Sequence, residues 1–221
     1  MNLFCQLGFH KWDGDKCSKC GKENNTLEVE DLEGDTYETV KIGDQVWMAR
    51  NLNVSRFRNG NPIPIVKSND EWTRAGDESK AASCFYNNEQ KNGKKYGRLY
   101  NWYAIYDKRG VAPEGWHIPS NEEYQKLALG VGKNSNALKA IGQGTGTNRS
   151  GFTALLGGYR EHAYVGNKDF FRYIKESGFF WTSTWHNAYE SRCIYLSCNS
   201  KDIYFVHSFK GAGLSIRCIK D

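Results

Sequence analysis

Proline is scarce in this chain, with four residues among 221, and methionine scarcer, with two. Set against 23 glycines and an aromatic fraction of 14% that includes seven Trp and thirteen Tyr, this balance argues against a helical bundle and for a loop-rich domain packed by aromatic side chains. No run of eighteen apolar residues occurs, so no helix spans a bilayer. MNLFCQLGFHKWDGDKC lacks the charged n-region and apolar h-region of a secretory signal. An excess of one charge sign is missing too: 30 Lys and Arg face 25 Asp and Glu, for a net charge of +5. The densest basic patch, KNGKK at 91–95, reads as a solvated loop, and no nucleic-acid partner is expected. HExxH, G-x-S-x-G and Walker patterns are absent, which leaves metalloprotease, serine hydrolase and nucleotide-dependent readings without support. The glycine loop GQGTGTNRSG lacks GK[ST] and reads as a surface connection. No retaining-glycosidase carboxylate pair is indicated.

Seven cysteines make an odd number, which favours reduced thiols and metal ligation over a disulfide framework and points to a cytoplasmic location. Cys5, His10, Cys17 and Cys20 are spaced C-x4-H-x6-C-x2-C, with Gly21 after the last. Four soft ligands so close together suit a tetrahedral zinc ion, with Phe9 and Trp12 covering it. So short a segment cannot build a core without metal. A tail with unpaired thiols and a redox C-x-x-C are the other readings. Residues 1–24 are thus a candidate zinc module and the acidic stretch 25–35 a candidate linker.

From Tyr37 onward the chain becomes globular. TVKIGDQVW predicts a hairpin turning at Gly43 and Asp44. Leu99, Trp102, Tyr103 and Tyr106 fall at helical spacing in KYGRLYNWYAIYD. Ser120 with Glu123 three residues on forms a capping box for a helix burying Tyr124, Leu127 and Ala128, with His117 as a packed residue before it. NSNALKAIG predicts a second short helix, and GFTALLGGYR, GFFWTSTW, the stretch 190–209 and GLSIRCIKD are strand-like. Two helices followed by several strands predict an α+β domain whose antiparallel sheet is built late in the chain. ESRCIYLSCNSKDIYFVHSF alternates poorly for a half-buried strand pair and is crowded with aromatic and polar residues.

KIGDQVWMARNLNVSRFRNGNPIP, KYGRLYNWYAIYD, APEGWHIPSNEEYQKL, GFTALLGGYR, GFFWTSTW and GLSIRCIKD occur in that order, and together they resemble the Fibrobacter succinogenes major paralogous (FISUMP) domain from about residue 36 to the end. The resemblance implies a C-type lectin-like fold related to the formylglycine-generating enzyme, and no assigned activity. Arg50, Tyr124 and Leu156 stand where the family usually has Glu, Trp and Pro. Ala112 stands where many exported members carry Cys, which leaves Cys218 without that partner.

In such a fold the residues before the last strand form a ligand-contacting face. Trp185, His186, Tyr189, Arg192, Tyr195, Asn199, Tyr204, Phe205, His207 and Phe209 are the expected contacts, with Ile194, Leu196 and Ile203 as inward anchors. Tyr, Trp, His and Arg provide contact area at low entropy cost, and Ser and Asn adapt. The expected function is non-enzymatic recognition of a protein or glycan. The resemblance also implies diversification by a retroelement, whose palette fits Tyr189, Arg192, Cys193, Tyr195, Cys198, Asn199, Tyr204, Phe205, His207 and Phe209. Two alternatives stand beside it: a copper-dependent oxidase of the formylglycine-generating type using Cys193 and Cys198, and an assembly module in which the same face packs on another copy. No calcium-binding acidic cluster is seen. Zinc in the N-terminal module is the one cofactor expected.

Overall fold

The computed structural model describes residues 28–162 and 170–221, together with the backbone of two short strands, β1 (Trp12–Asp13) and β2 (Lys16–Cys17). The latter two pair antiparallel, Trp12 opposite Cys17. Cys5, His10 and Cys20 lie outside the described residues.

The domain proper runs β3 (Glu28–Glu30), β4 (Thr36–Ile42), β5 (Gln45–Met48), α1 (Asn69–Asp77), β6 (Ser83–Cys84), α2 (Gln90–Tyr96), β7 (Leu99–Tyr100), α3 (Trp102–Ile105), β8 (Trp116–His117), α4 (Asn121–Gly130), β9 (Gly157–Arg160), β10 (Phe171–Ile174), β11 (Ser177–Trp185), β12 (Glu190–Ser197), β13 (Ile203–Phe209) and β14 (Ile219–Lys220). It is an α+β arrangement of two five-stranded sheets, β3-β4-β5-β14-β8 and β10-β9-β11-β12-β13. The second sheet is built late in the chain, as expected. The first is built from both ends of the domain.

Residues 213–219 join the two sheets. Leu214 exchanges backbone hydrogen bonds with Tyr100, Gly213 does so with Arg160, Trp181 N–H donates to Ser215, Leu52 N–H to Ile216, and Met48 N–H to Cys218. Leu214, Ile216 and Cys218 are fully buried as a result. Arg217, in the same stretch, is also sealed, and its guanidinium donates to Asn51 Oδ1, Met48 O, Phe152 O and Thr153 O. Burial pulls its pKa down to about 9.

Several expectations change. Residues 28–35 are not a linker: Val29 pairs with Tyr37, and Asp31 accepts hydrogen bonds from the Glu33 and Asp35 amides and the Tyr37 hydroxyl. The helix expected from Leu99 to Tyr106 is a single turn, α3. Leu99 and Tyr100 ahead of it pair with Cys84 and Ser83, and Asn101 caps the turn by accepting from Ala104 N–H. The second short helix is a 3-10 turn over Ser135–Ala137. Two helices were not expected at all, α1 and α2.

The capping box stands: Ser120 Oγ accepts from Glu123 N–H and Glu123 carboxylate from Ser120 N–H. His117 does more than pack. Its ring bridges Glu123 Oε1 at 2.9 Å and Asp221 Oδ1 at 2.7 Å. Burial opposes charge on this imidazole, but the hydrogen bonds it donates to the two carboxylates outweigh it and raise its pKa above the ordinary value. A raised histidine stabilises the fold fully below about pH 6.5 and loses that contribution as pH climbs through the folded value. Urea unfolding is therefore expected to show a gain of about 0.5 kcal/mol from pH 8.5 to pH 6, small because both pairs are partly solvated. His117→Gln should flatten that rise. An unchanged slope would show that other groups cause it.

Candidate functional site

The poorly alternating stretch 190–209 is a regular antiparallel hairpin. Seven pairs run in register from Glu190 opposite Phe209 to Leu196 opposite Ile203. Alternation is hidden because both faces of β12 are partly covered. Ile194 and Leu196 pack against Tyr124, Leu127 and Phe180 on one side. Cys193 packs with Trp102, Trp181 and Leu214 on the other. Two lysines fix the ends of the strands. Lys139 Nζ, fully buried, donates to the Ser197 and Ser200 carbonyls at 2.7 and 2.8 Å and so holds the β12–β13 turn. Lys210 Nζ donates to the Asn187 and Ala188 carbonyls while lying over the rings of Trp102 and Trp185, and so holds the β11–β12 turn. Burial lowers the pKa of both amines.

Next to Cys193 on its own face, an aromatic row crosses the whole sheet. Tyr173, Tyr159, Phe179, Tyr195 and Tyr204 follow one another from β10 to β13. Ring centroids are 6.0 Å apart for Tyr173 and Tyr159, 4.8 Å for Tyr159 and Phe179, 5.3 Å for Phe179 and Tyr195, and 4.4 Å for Tyr195 and Tyr204. Register produces this row, since Phe179 lies opposite Tyr195 and Tyr195 opposite Tyr204. The last pair is tilted by only 7°. At that distance and angle the two rings lie face to face. Tyr173 is exposed and the other four are half-buried. Burial, and then the neighbouring Tyr204, raise the Tyr195 pKa. Tyr204 and Tyr159 hydroxyls donate to Ser200 Oγ and Glu161 Oε1.

The expected contact residues divide among different surroundings. Trp185, Tyr189 and Phe209 are exposed, at 58%, 76% and 57%, around the β11–β12 end of the hairpin. Asn199 is exposed at the other turn. Tyr195 and Tyr204 belong to the aromatic row. Arg192 and His207 face each other across the strands on the opposite face, where His186 stacks on His207 with ring centroids 4.6 Å apart. Phe205 is half-buried: it packs against the core beside Ile194 and Leu196 and also lines a surface pocket with Leu129 and Ile203. Sequence reasoning missed Tyr159, Tyr173 and Phe179, whose strands come earlier in the chain and join the hairpin only through sheet order.

The copper alternative fails on geometry. Cys193 and Cys198 belong to clusters on opposite sides of the sheet, and Cys198 lies in the turn beyond the end of β12. Cys193 is 1% exposed, so its sulfur is closed to an incoming ion, and the same burial pushes its thiol up to about 12. Cys218 is raised to about 12 for the same reason and shares its core cluster with Ala112. Among the described residues no helix is long and apolar enough to cross a membrane.

Comparison with curated proteins and with solved structures returns no match. Residues 40–220 match the family model of the Fibrobacter succinogenes major domain, and the chain belongs to that family.

Proposed function

We propose that the protein is a non-enzymatic binding protein whose recognition surface is the hairpin of β12 and β13, and that its partner is an extended polypeptide segment. The observation that carries this reading is an open sheet edge beside the stacked aromatic row. β13 ends its sheet, and no described strand pairs with its outer side. Its seven residues, IYFVHSF, contain no Lys or Pro to blunt that edge. An incoming strand would pair with this backbone and set one of its side chains beside the Tyr204 ring, which Tyr195 backs from the next strand. A glycan is less well served, because sugar C–H groups seek open ring faces and Tyr195 is stacked on both sides, by Phe179 and Tyr204. The C-type lectin-like scaffold implied by the family is held here as part of the same proposal, supported by the α+β architecture whose late sheet ends in this hairpin.

Panning a random-peptide display library on the full chain is the test. Enriched peptides are expected to bind Tyr195→Ala and Tyr204→Ala about 1 to 3 kcal/mol more weakly by calorimetry, with the urea midpoint nearly unchanged. Peptides that bind both variants as tightly as the parent protein would overturn the reading. So would a dimer in light scattering that buries the hairpin, or glycan-array binding that is lost in the same variants. Zinc at Cys5, His10, Cys17 and Cys20 is also proposed, supported by the short strand pair that brings Cys17 back beside Trp12. Diversification of the hairpin belongs to the same proposal with Cys193 removed, because that side chain has no access to a ligand.

A further inference from the structure

On the sheet face opposite the aromatic row, near the β11–β12 turn, three side chains of metal-ligating type converge. Each of His186, Glu190 and His207 offers one donor atom, and these atoms lie within 4.8 Å of one another. His207 Nδ1 is 3.0 Å from Glu190 Oε1. Three elements bring them together. His186 follows the last residue of β11, Glu190 opens β12, and His207 lies on β13 across from Arg192. The turn between the first two is rigidly made. Asn187 Oδ1 accepts from the Tyr189 and Glu190 amides, Asn187 N–H donates to Glu190 O, and Lys210 ties down the Asn187 and Ala188 carbonyls. Asn187 Nδ2 also donates to Glu190 Oε2 at 3.1 Å. One carboxylate oxygen is thus occupied from behind while the other faces the imidazoles, the second-sphere arrangement that orients a ligating carboxylate.

We propose that His186, Glu190 and His207 form a divalent-metal site of two imidazoles and one carboxylate, taking a first-row cation such as Zn(II). The donor set suits it: imidazole and carboxylate bind zinc, and three protein ligands leave a coordination position for water or a partner's donor. A tetrahedral zinc sets its donors about 3.4 Å apart. The Glu190–His207 pair is near that separation, and the third donor closes in by side-chain rotation. The imidazole planes are now only 15° apart. In-plane lone pairs of parallel rings cannot meet at one ion, so binding must open the stack. His207 is exposed and His186 half-buried, which leaves both rings room to turn. Two cations stand near, Arg192 opposite His207 and Lys210 behind the turn, and they weaken the site without blocking it.

The test uses the full chain, stripped of metal and titrated with ZnCl2, with imidazole nitrogens read by NMR. Only five histidines need assignment, and single substitutions provide it. Ligating nitrogens of His186 and His207 are expected to shift with zinc, while His117 stays still. Glu190→Gln and His186→Ala should each weaken that response at least tenfold with an unchanged near-ultraviolet circular dichroism spectrum. Reading these two rings separates the site from the N-terminal cysteine set, whatever that set binds. Imidazole signals unmoved by excess zinc would overturn the proposal, as would Glu190→Gln binding as tightly as the parent.

Discussion

Arg217→Met is expected to destabilise the domain by about 3 to 5 kcal/mol, the range for breaking a buried charged network. The guanidinium is fully buried, and no carboxylate is among its hydrogen-bond partners. Its positive charge is held instead by three carbonyls, the Asn51 amide oxygen and the Phe152 ring 4.3 Å away. Desolvating an arginine costs several kcal/mol, and a methionine of similar length returns that cost. The loss is on the acceptor side. Met48 O, Phe152 O, Thr153 O and Asn51 Oδ1 would be left inside without donors, at about 1 to 3 kcal/mol each where water cannot replace them. Four orphaned acceptors outweigh one recovered desolvation. These acceptors belong to two segments, one running from the end of β5 to Asn51 and one preceding β9, so the side chain ties both to the seam at residues 213–219. Arg217→Lys keeps the charge but not the planar fork, and should recover less than half of the loss. Urea unfolding of the full chain measures both. A change below about 1 kcal/mol for Arg217→Met would mean that water enters and satisfies the carbonyls.

What was legible in the sequence follows from how local each signal is. The Ser120 capping box and the turn at Gly43 and Asp44 depend on residues a few positions apart, and both stand as read. Helical spacing misled at Leu99, Trp102 and Tyr106. The i to i+4 contact it implied is real, with Trp102 and Tyr106 stacked at 4.6 Å. The extended backbone of Leu99 and Tyr100 is imposed by β6 and by Leu214, far along the chain. α1 was missed because NDEWTRAGD buries almost nothing but Trp72, although Ser68 and Glu71 carry the cap signal that could have found it. In α2 the glycine looked like a loop residue. Gly93 is needed because the Phe85 ring occupies the space a Cβ would fill.

The candidate site was half legible for a related reason. Aromatic and polar residues crowded into 190–209 marked a surface, and Tyr189, Tyr195, Tyr204, His207 and Phe209 are indeed within reach of solvent. Which face each residue joins depends on register, and register is set by pairing. Arg160 is the clearest case of invisible support. It is fully buried, donates to the Val66, Lys67 and Ser68 carbonyls, and holds β9 against α1 so that Tyr159 can stand in the row. Nothing around it in GFTALLGGYR announces partners more than ninety residues earlier.

Cys193→Tyr is expected to be the most damaging change within the hairpin, and it bears on where the proposed diversification could act. Cys193 is 1% exposed and shares a cluster with Trp102, Trp181 and Leu214, so a phenol ring has no place to go without displacing an indole. Trp181 cannot give way, since its Nε1–H donates to the Tyr100 carbonyl at 2.8 Å in the seam between the sheets. Overpacking by a few atoms costs about 1 to 3 kcal/mol, and a tyrosine adds far more, so loss of the cooperative urea transition is the expected result. Tyr195→Cys, the reverse exchange two residues away, removes only a half-buried ring from the row and should cost about 1 kcal/mol or less. A retroelement that mixes Tyr with Cys could therefore write freely at Tyr195 and not at Cys193. A stable, cooperatively folding Cys193→Tyr protein would show that the strand can re-register or the Trp181 pocket can open, and both faces of β12 would then be available to variation.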